Sequence, residues 1–180
     1  MNNLHLALLG EIMVKKGIQH VVVSPGSRNA PAIIRFNRIQ GLRLYSIVDE
    51  RSAAFYALGM ALETGETVAL LCTSGSAGLN YAPAIAEAYY QQLPLLVITA
   101  DRPEEWIDQG DGQTIRQTHM FANIIRKSFQ LFEFSDNPDE IAFFARLVAE
   151  AIDRTQYPVS GPVHLNVPVR EPLYDINTHP

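Results

Sequence analysis

One cysteine, Cys72, stands in 180 residues, so the chain can form no internal disulfide, and the composition fits a reducing compartment. Basic residues are also scarce: 14 Lys and Arg against 19 Asp and Glu, a net charge of −5. They cluster nowhere, and a nucleic-acid surface needs such a cluster to neutralise phosphates. No apolar run approaches the roughly 20 residues that a spanning helix requires. Residues 1–16 lack the basic-then-apolar order and small-residue cleavage site of a secretory signal. These absences predict a cytoplasmic protein that binds neither nucleic acid nor membrane. What is abundant is apolar: 47% hydrophobic against 18% charged residues, enough to bury the core of one domain.

The apolar residues fall into alternating patterns. Short runs rich in β-branched residues at 20–23, 42–48, 68–72, 95–99, 129–134 and 163–167 predict strands, several apolar almost throughout, as in a parallel sheet covered on both faces. Between them, 4–16 carries Leu4, Leu8, Ile12 and Met13 on one stripe and ends at Gly17; 50–63 and 77–91 are rich in alanine; and 138–154 opens on Asn137-Pro138, a cap followed by a first-turn proline. The alternation predicts a doubly wound, mainly parallel α/β sheet with helices on both faces. Residues 101–117 are irregular and hold Trp106, which reads as a functional loop. Pro168, Pro172 and Pro180 break the pattern at the end, giving an expected domain over 1–172 and a linker beginning over 173–180.

In a parallel sheet ligands bind beyond the carboxyl ends of the strands. Four expected strands run there into polar, sterically specialised turns: Ser24-Pro25-Gly26-Ser27-Arg28-Asn29, Asp49-Glu50-Arg51-Ser52, Thr73-Ser74-Gly75-Ser76 and Ala100-Asp101-Arg102-Pro103. Each has a plain alternative. The first could merely turn the chain, Glu50 could serve the helix dipole, Thr73 to Ser76 could be a helix cap, and Arg102 could pair with Asp101 or Glu105 on the surface. Their convergence on one rim favours a site, with Arg28 suited to a carboxylate or phosphate. The histidines His5, His20, His119, His164 and His179 show no metal-ligand spacing, and Cys72 reads as core.

Five stretches carry a family resemblance: Ser24 to Arg28, Asp49 to Phe55, Cys72 to Ala77, Thr99 to Pro103, and Gln113-Thr114-Ile115-Arg116-Gln117, with Asn166 to Leu173 at the close. In order and spacing the chain resembles the MenD family, the 2-succinyl-5-enolpyruvyl-6-hydroxy-3-cyclohexene-1-carboxylate synthases. The likeness covers the first of that family's three domains, the pyrimidine-binding module of a thiamine-diphosphate enzyme of menaquinone biosynthesis. It implies that Glu50 is the catalytic glutamate, bonded to the cofactor's pyrimidine N1′ so that the imino tautomer is favoured and its nitrogen can take the thiazolium C2 proton. That role requires Glu50 to hold a proton near neutral pH, which burial favours and a helix N-terminus opposes.

The same resemblance implies Pro25, Thr73 and Ser74 as neighbours of the pyrimidine, and Ser27, Arg28, Arg102 and Gln113 as binders of the dicarboxylates 2-oxoglutarate and isochorismate. It places Mg²⁺ or Mn²⁺ on a carboxyl-terminal domain outside this chain, implies a homodimer or higher oligomer, and makes the chain alone inactive. Gly110-Asp111-Gly112 looks like the opening of a magnesium-diphosphate motif but follows no strand and lacks the downstream Asn, so it reads as loop. Two departures stand out: Ser76 replaces a frequent Thr, and Gly112 precedes Gln113 where some relatives have a polar side chain. Two alternatives remain: another thiamine enzyme of the acetolactate-synthase type, and a non-catalytic Rossmann-like module. The latter would want more than the single Gly26 after the first strand. A stand-alone subunit that pairs with a separately encoded partner is a further alternative to a piece of a longer polypeptide.

Overall fold

The computed structural model describes residues 3–174. In chain order the elements are α1 (Leu4–Lys15), β1 (His20–Val23), α2 (Ala30–Phe36), β2 (Arg43–Ser46), α3 (Glu50–Thr64), β3 (Val68–Cys72), a 3-10 helix (Gly75–Tyr81), α4 (Ala82–Gln91), β4 (Leu95–Asp101), a 3-10 turn (Glu104–Trp106), β5 (Lys127–Gln130), α5 (Pro138–Arg154) and β6 (Val163–Pro168). The strands form one sheet in the order β2-β1-β3-β4-β6-β5, and every neighbouring pair is parallel.

Side-chain alternation along the strands divides the core in two. Val21, Val23, Ala69, Leu71, Leu96 and Ile98 face α1, α2 and α5, where Leu9, Met13, Phe36 and Phe144 pack on them. Val22, Val68, Leu70, Cys72, Leu95 and Val97 face α3 and α4 across Ala53, Ala57, Ala61, Ala84 and Ile85. The period of two puts each strand's alternate residues in opposite layers, which explains the nearly continuous apolar runs. Alanines on α3 let that helix approach the sheet closely. Its outer side remains apolar, with Phe55, Tyr56 and Leu62 exposed.

Local chemistry sets the boundaries. At the end of α1, Gly17 N–H donates to Val14 O at 3.0 Å and Ile18 N–H to Met13 O at 2.9 Å, the paired bonds of a Schellman cap. Asp49 accepts from Ser52 N–H at the head of α3, and Asn137 from Asp139 N–H at the head of α5, each filling an orphan donor. Two elements depart from the sequence expectation by more than two residues, and one was not expected. The helix expected over 77–91 is 3-10 through Tyr81, because Pro83 starts α4 afresh. The strand expected over 129–134 is displaced to Lys127–Gln130. Phe132 and Phe134 leave the ladder to pack edge-on against Phe144, and His5 joins that aromatic group. The short α2 was not among the expected helices. Leu173 packs on the core, and residues 175–180 of the expected linker lie outside the described residues.

His164, on β6, is fully buried between Thr99 and Ser128. Desolvation, with a smaller contribution from His119, pushes its pKa down from 6.5 to about 3. Below pH about 6.5 the unfolded chain takes up a proton that the folded chain refuses, so stability falls as pH drops from there toward 3. Urea midpoints measured across that window should decline toward acid, and His164→Gln should flatten the decline; an unchanged slope would contradict the assignment.

Candidate active site

The strand order reverses between β1 and β3: the chain leaves β1 for the outer strand β2, then crosses back to β3 on the other side. Such a switch point leaves a crevice at the carboxyl edge. Backbone bonds carry the ladder into the rim, with Ser24 N–H donating to Leu71 O at 2.9 Å and Ile47 N–H to Val23 O at 2.9 Å. The first and third turns therefore touch. Arg28 N–H donates to Thr73 Oγ1 at 3.2 Å. A Cβ on Gly26 would lie 2.6 Å from Thr73 Cβ, so only glycine permits that approach. Beneath the turns Tyr81 donates its hydroxyl proton to Ser24 Oγ at 3.0 Å.

Glu50 begins α3 beside this crevice, half-buried. No hydrogen bond to its carboxylate is formed among the described residues. Burial pushes the pKa of the Cys72 thiol and the Tyr81 hydroxyl up, and the negative charge of Glu50 adds a smaller push on both. Thr73 and Ser74 are buried in the same rim, whereas Pro25 and Ser27 are more open on the first turn.

The two arginines differ. Arg28 is 2% exposed; its Nη1 donates to Val169 O at 2.9 Å and its Nη2 to Glu171 Oε1 at 3.1 Å. The guanidinium sits 5.8 Å from the Trp106 ring centroid, and its Nε has no partner among the described residues. Burial and the neighbouring Arg102 pull its pKa down while Glu171 opposes them, so Arg28 already holds a carboxylate from its own chain. Arg102 spreads three bonds over the loop: Nε to Asp111 at 2.8 Å, Nη1 to Ser74 Oγ at 2.8 Å and Nη2 to Gly112 O at 3.0 Å. It thus ties the turn after β4 to the turn after β3. Asp111, in the Gly110-Asp111-Gly112 segment, serves here as an arginine partner within an irregular loop.

Gln113 has a left-handed backbone, with φ 59°. Its carbonyl lies against Gly75, where an added Cβ would come within 2.8 Å of it. The structure therefore brings Glu50, Thr73, Ser74, Arg28 and Arg102 to one rim, with Ser27 and Gln113 at its outer edge. Sequence reasoning passed over Glu171, Trp106, Gln117 and Asn166 as site residues. Asn166 and His164 did carry a signal, being two polar side chains on one face of an otherwise apolar strand. Among the described residues no group of three or more His, Cys, Asp or Glu could hold a metal ion.

Residues 6–123, spanning every one of these turns, match the family described as the thiamine pyrophosphate enzyme, N-terminal TPP binding domain. The chain belongs to that family. Among its curated relatives, it is 49% identical over 170 residues to a 2-succinyl-5-enolpyruvyl-6-hydroxy-3-cyclohexene-1-carboxylate synthase of Desulfotalea psychrophila, covering 94% of this chain and 32% of the relative. It is 52% identical over 164 residues to the protein of the same name from Cytophaga hutchinsonii, covering 91% and 29%, and 47% identical over 169 residues to that of Porphyromonas gingivalis, covering 94% and 29%. The chain thus spans about a third of the length of these relatives.

For a thiamine pyrophosphate N-terminal domain the residues at the crevice fit a pyrimidine ring: at the head of α3 a carboxyl without a hydrogen bond among the described residues, and at the end of β3 the buried Thr73, Ser74 and Cys72. Gly75, at φ 80°, shapes this floor. Gly75→Ala forces a side chain into left-handed backbone and against Gln113 O. The variant should lose at least about 1–2 kcal/mol of unfolding free energy from the backbone alone. A urea midpoint matching the parent's would contradict that geometry.

Proposed function

We propose that this chain is the pyrimidine-binding module of a 2-succinyl-5-enolpyruvyl-6-hydroxy-3-cyclohexene-1-carboxylate synthase. The complete enzyme would decarboxylate 2-oxoglutarate and add the succinyl unit to isochorismate in menaquinone biosynthesis. The observation that carries the reading is Glu50. It is an acid with no hydrogen bond among the described residues, placed at the β1–β3 switch point, in a chain whose relatives bear that enzyme's name.

The bound thiamine diphosphate supplies a nucleophilic carbon for attack on a 2-oxo acid. Glu50 would hold a proton at the pyrimidine ring nitrogen, and Pro25, Thr73 and Ser74 would flank that ring. Arg102, with Ser27 and Gln113, offers charge and hydrogen bonds to a dicarboxylate; guanidinium binds carboxylate through two parallel bonds. Arg28 joins them by exchanging its Glu171 partner for a substrate carboxylate. Mg²⁺ or Mn²⁺ and the diphosphate belong to a carboxyl-terminal domain outside this chain.

The apolar outer side of α3, continued by Leu79 and Tyr90 on the neighbouring 3-10 helix and α4, supports a covering surface from the rest of the enzyme. In a homodimer or larger cytoplasmic assembly that surface closes the crevice and desolvates Glu50.

In the full-length enzyme Glu50→Gln keeps the shape but cannot share the proton. It should slow exchange of the cofactor's C2 proton by about 10²-fold or more, followed by NMR; exchange at the parent rate would refute the role. The 180-residue chain given cofactor, Mg²⁺ and both substrates should form no product, and product formation would overturn the modular reading. Full-length enzyme that consumes pyruvate but not 2-oxoglutarate would point instead to the acetolactate-synthase type.

A further inference from the structure

Beneath the rim runs a chain of buried side chains to which the reaction assigns no part. Asn166, 1% exposed on β6, uses its whole amide. Its Nδ2 donates to Asp101 Oδ2 at 2.7 Å and to Gln130 Oε1 at 2.8 Å. Its Oδ1 accepts from Thr99 Oγ1 at 2.8 Å and Gln117 Nε2 at 2.9 Å. Gln117, equally buried, donates also to Ala100 O at 3.2 Å, and its Oε1 accepts from Gly75 N–H at 2.7 Å. Asp101 in turn accepts from Arg102 N–H at 2.7 Å. Burial drives the Asp101 pKa up, and the bonds from Asn166 and Arg102 N–H hold it back.

Two amide side chains thus reach the backbone of both turns that carry polar groups to the crevice. Gln117 grips the Gly75 amide, next to Ser74 and two residues from Thr73. Asn166, through Asp101, fixes the amide of Arg102. The donor pattern leaves each amide one orientation, because exchanging O and N on either would set like poles face to face. We propose that Gln117 and Asn166 are positioning residues that lock the turn after β3 and the turn after β4 to one another, so that the pyrimidine-facing Ser74 and the carboxylate-facing Arg102 keep a fixed separation. Buried networks suit such a role, since a fully satisfied one rigidifies its surroundings and a half-satisfied one loosens them. The claim about substrate rests on the function proposed above; the claim about the turns does not.

The test uses Gln117→Glu, which is nearly isosteric. Ionised, the new carboxylate would face the acceptors Asn166 Oδ1 and Ala100 O with no proton to give. Protonated, it restores one of the two donors. Repulsion from those two acceptors drives the carboxylate off the Gly75 amide, so amide exchange by NMR on this chain should show Gly75 and Arg102 opening at least about three- to tenfold faster at neutral pH, the least that losing both donated bonds should give. Core amides such as Val22 and Leu70 should hold their parent rates. Lowering the pH through the new carboxyl's titration should slow the two rim amides again relative to the core. In the full-length enzyme the same variant should raise KM for the dicarboxylate at neutral pH by more than it lowers kcat, and acid should narrow the gap.

Uniform acceleration of all amides, or unchanged exchange at Gly75 and Arg102, would overturn the proposal. A Gln117→Glu chain that fails to fold even in acid would overturn it too, by making Gln117 a residue of the fold alone. If the parent full-length enzyme proves inactive on these substrates, the proposed function fails while the exchange result still decides the coupling of the turns.

Discussion

Parallel pairing of β1 with β3 is the constraint on which the rest depends. Val21 to Val23 lie beside Ala69 to Leu71, so both strands end at the same level and their polar turns meet. Had the two strands run antiparallel, Gly26 could not lie against Thr73, and Arg28 could not give its amide proton to Thr73 Oγ1. Glu50 would then face another part of the sheet. Because β4 and β6 continue the same direction, Arg102, Val169 and Glu171 arrive at that rim as well. The apolar layers above and below the sheet supply the driving force; the direction of the strands supplies the site.

Much of this was legible in the sequence because two signals agreed. Almost unbroken apolar strands demanded coverage on both faces, and every one of the first four strands ended in a turn rich in Ser, Gly, Asp or Arg. Two caps were equally readable: Asn137 and Gly17 sit where their chemistry requires, while the cap by Asp49 at the head of α3 was read only as part of a rim turn. Where reading failed, tertiary partners decided. The aromatic run after Phe129 satisfies strand periodicity, yet Phe132 and Phe134 gain more from Phe143 and Phe144 than from a ladder. Arg28 reads as an open anion binder in the sequence, but Glu171, far along the chain, occupies it. Gln117 and Asn166 fall within the family motifs without a legible role, since nothing local shows that a side chain will find the Gly75 amide or Asp101.

The module is chemically one-sided. It offers an acid, two guanidinium groups and a set of hydroxyl and amide contacts, and it displays apolar side chains beside them on α3 and α4. In the proposed reaction a carboxyl that shares a proton works best away from water, while dicarboxylate substrates enter through it. A crevice closed on one side by a second surface and rimmed by arginine meets both demands. The same logic gives the buried amide network its value: Ser74 and Arg102 are to be kept in register although Gln117, which links their turns, ends a loop, 107–117, with almost no regular structure.

The most direct measurement is a crystal structure of the full-length enzyme with thiamine diphosphate bound. A Glu50 carboxyl oxygen should lie about 2.7 Å from the pyrimidine N1′, a hydrogen-bonding distance, in the β1–β3 crevice beneath a covering surface. A pyrimidine ring bound elsewhere, with Glu50 turned to bulk water, would contradict it.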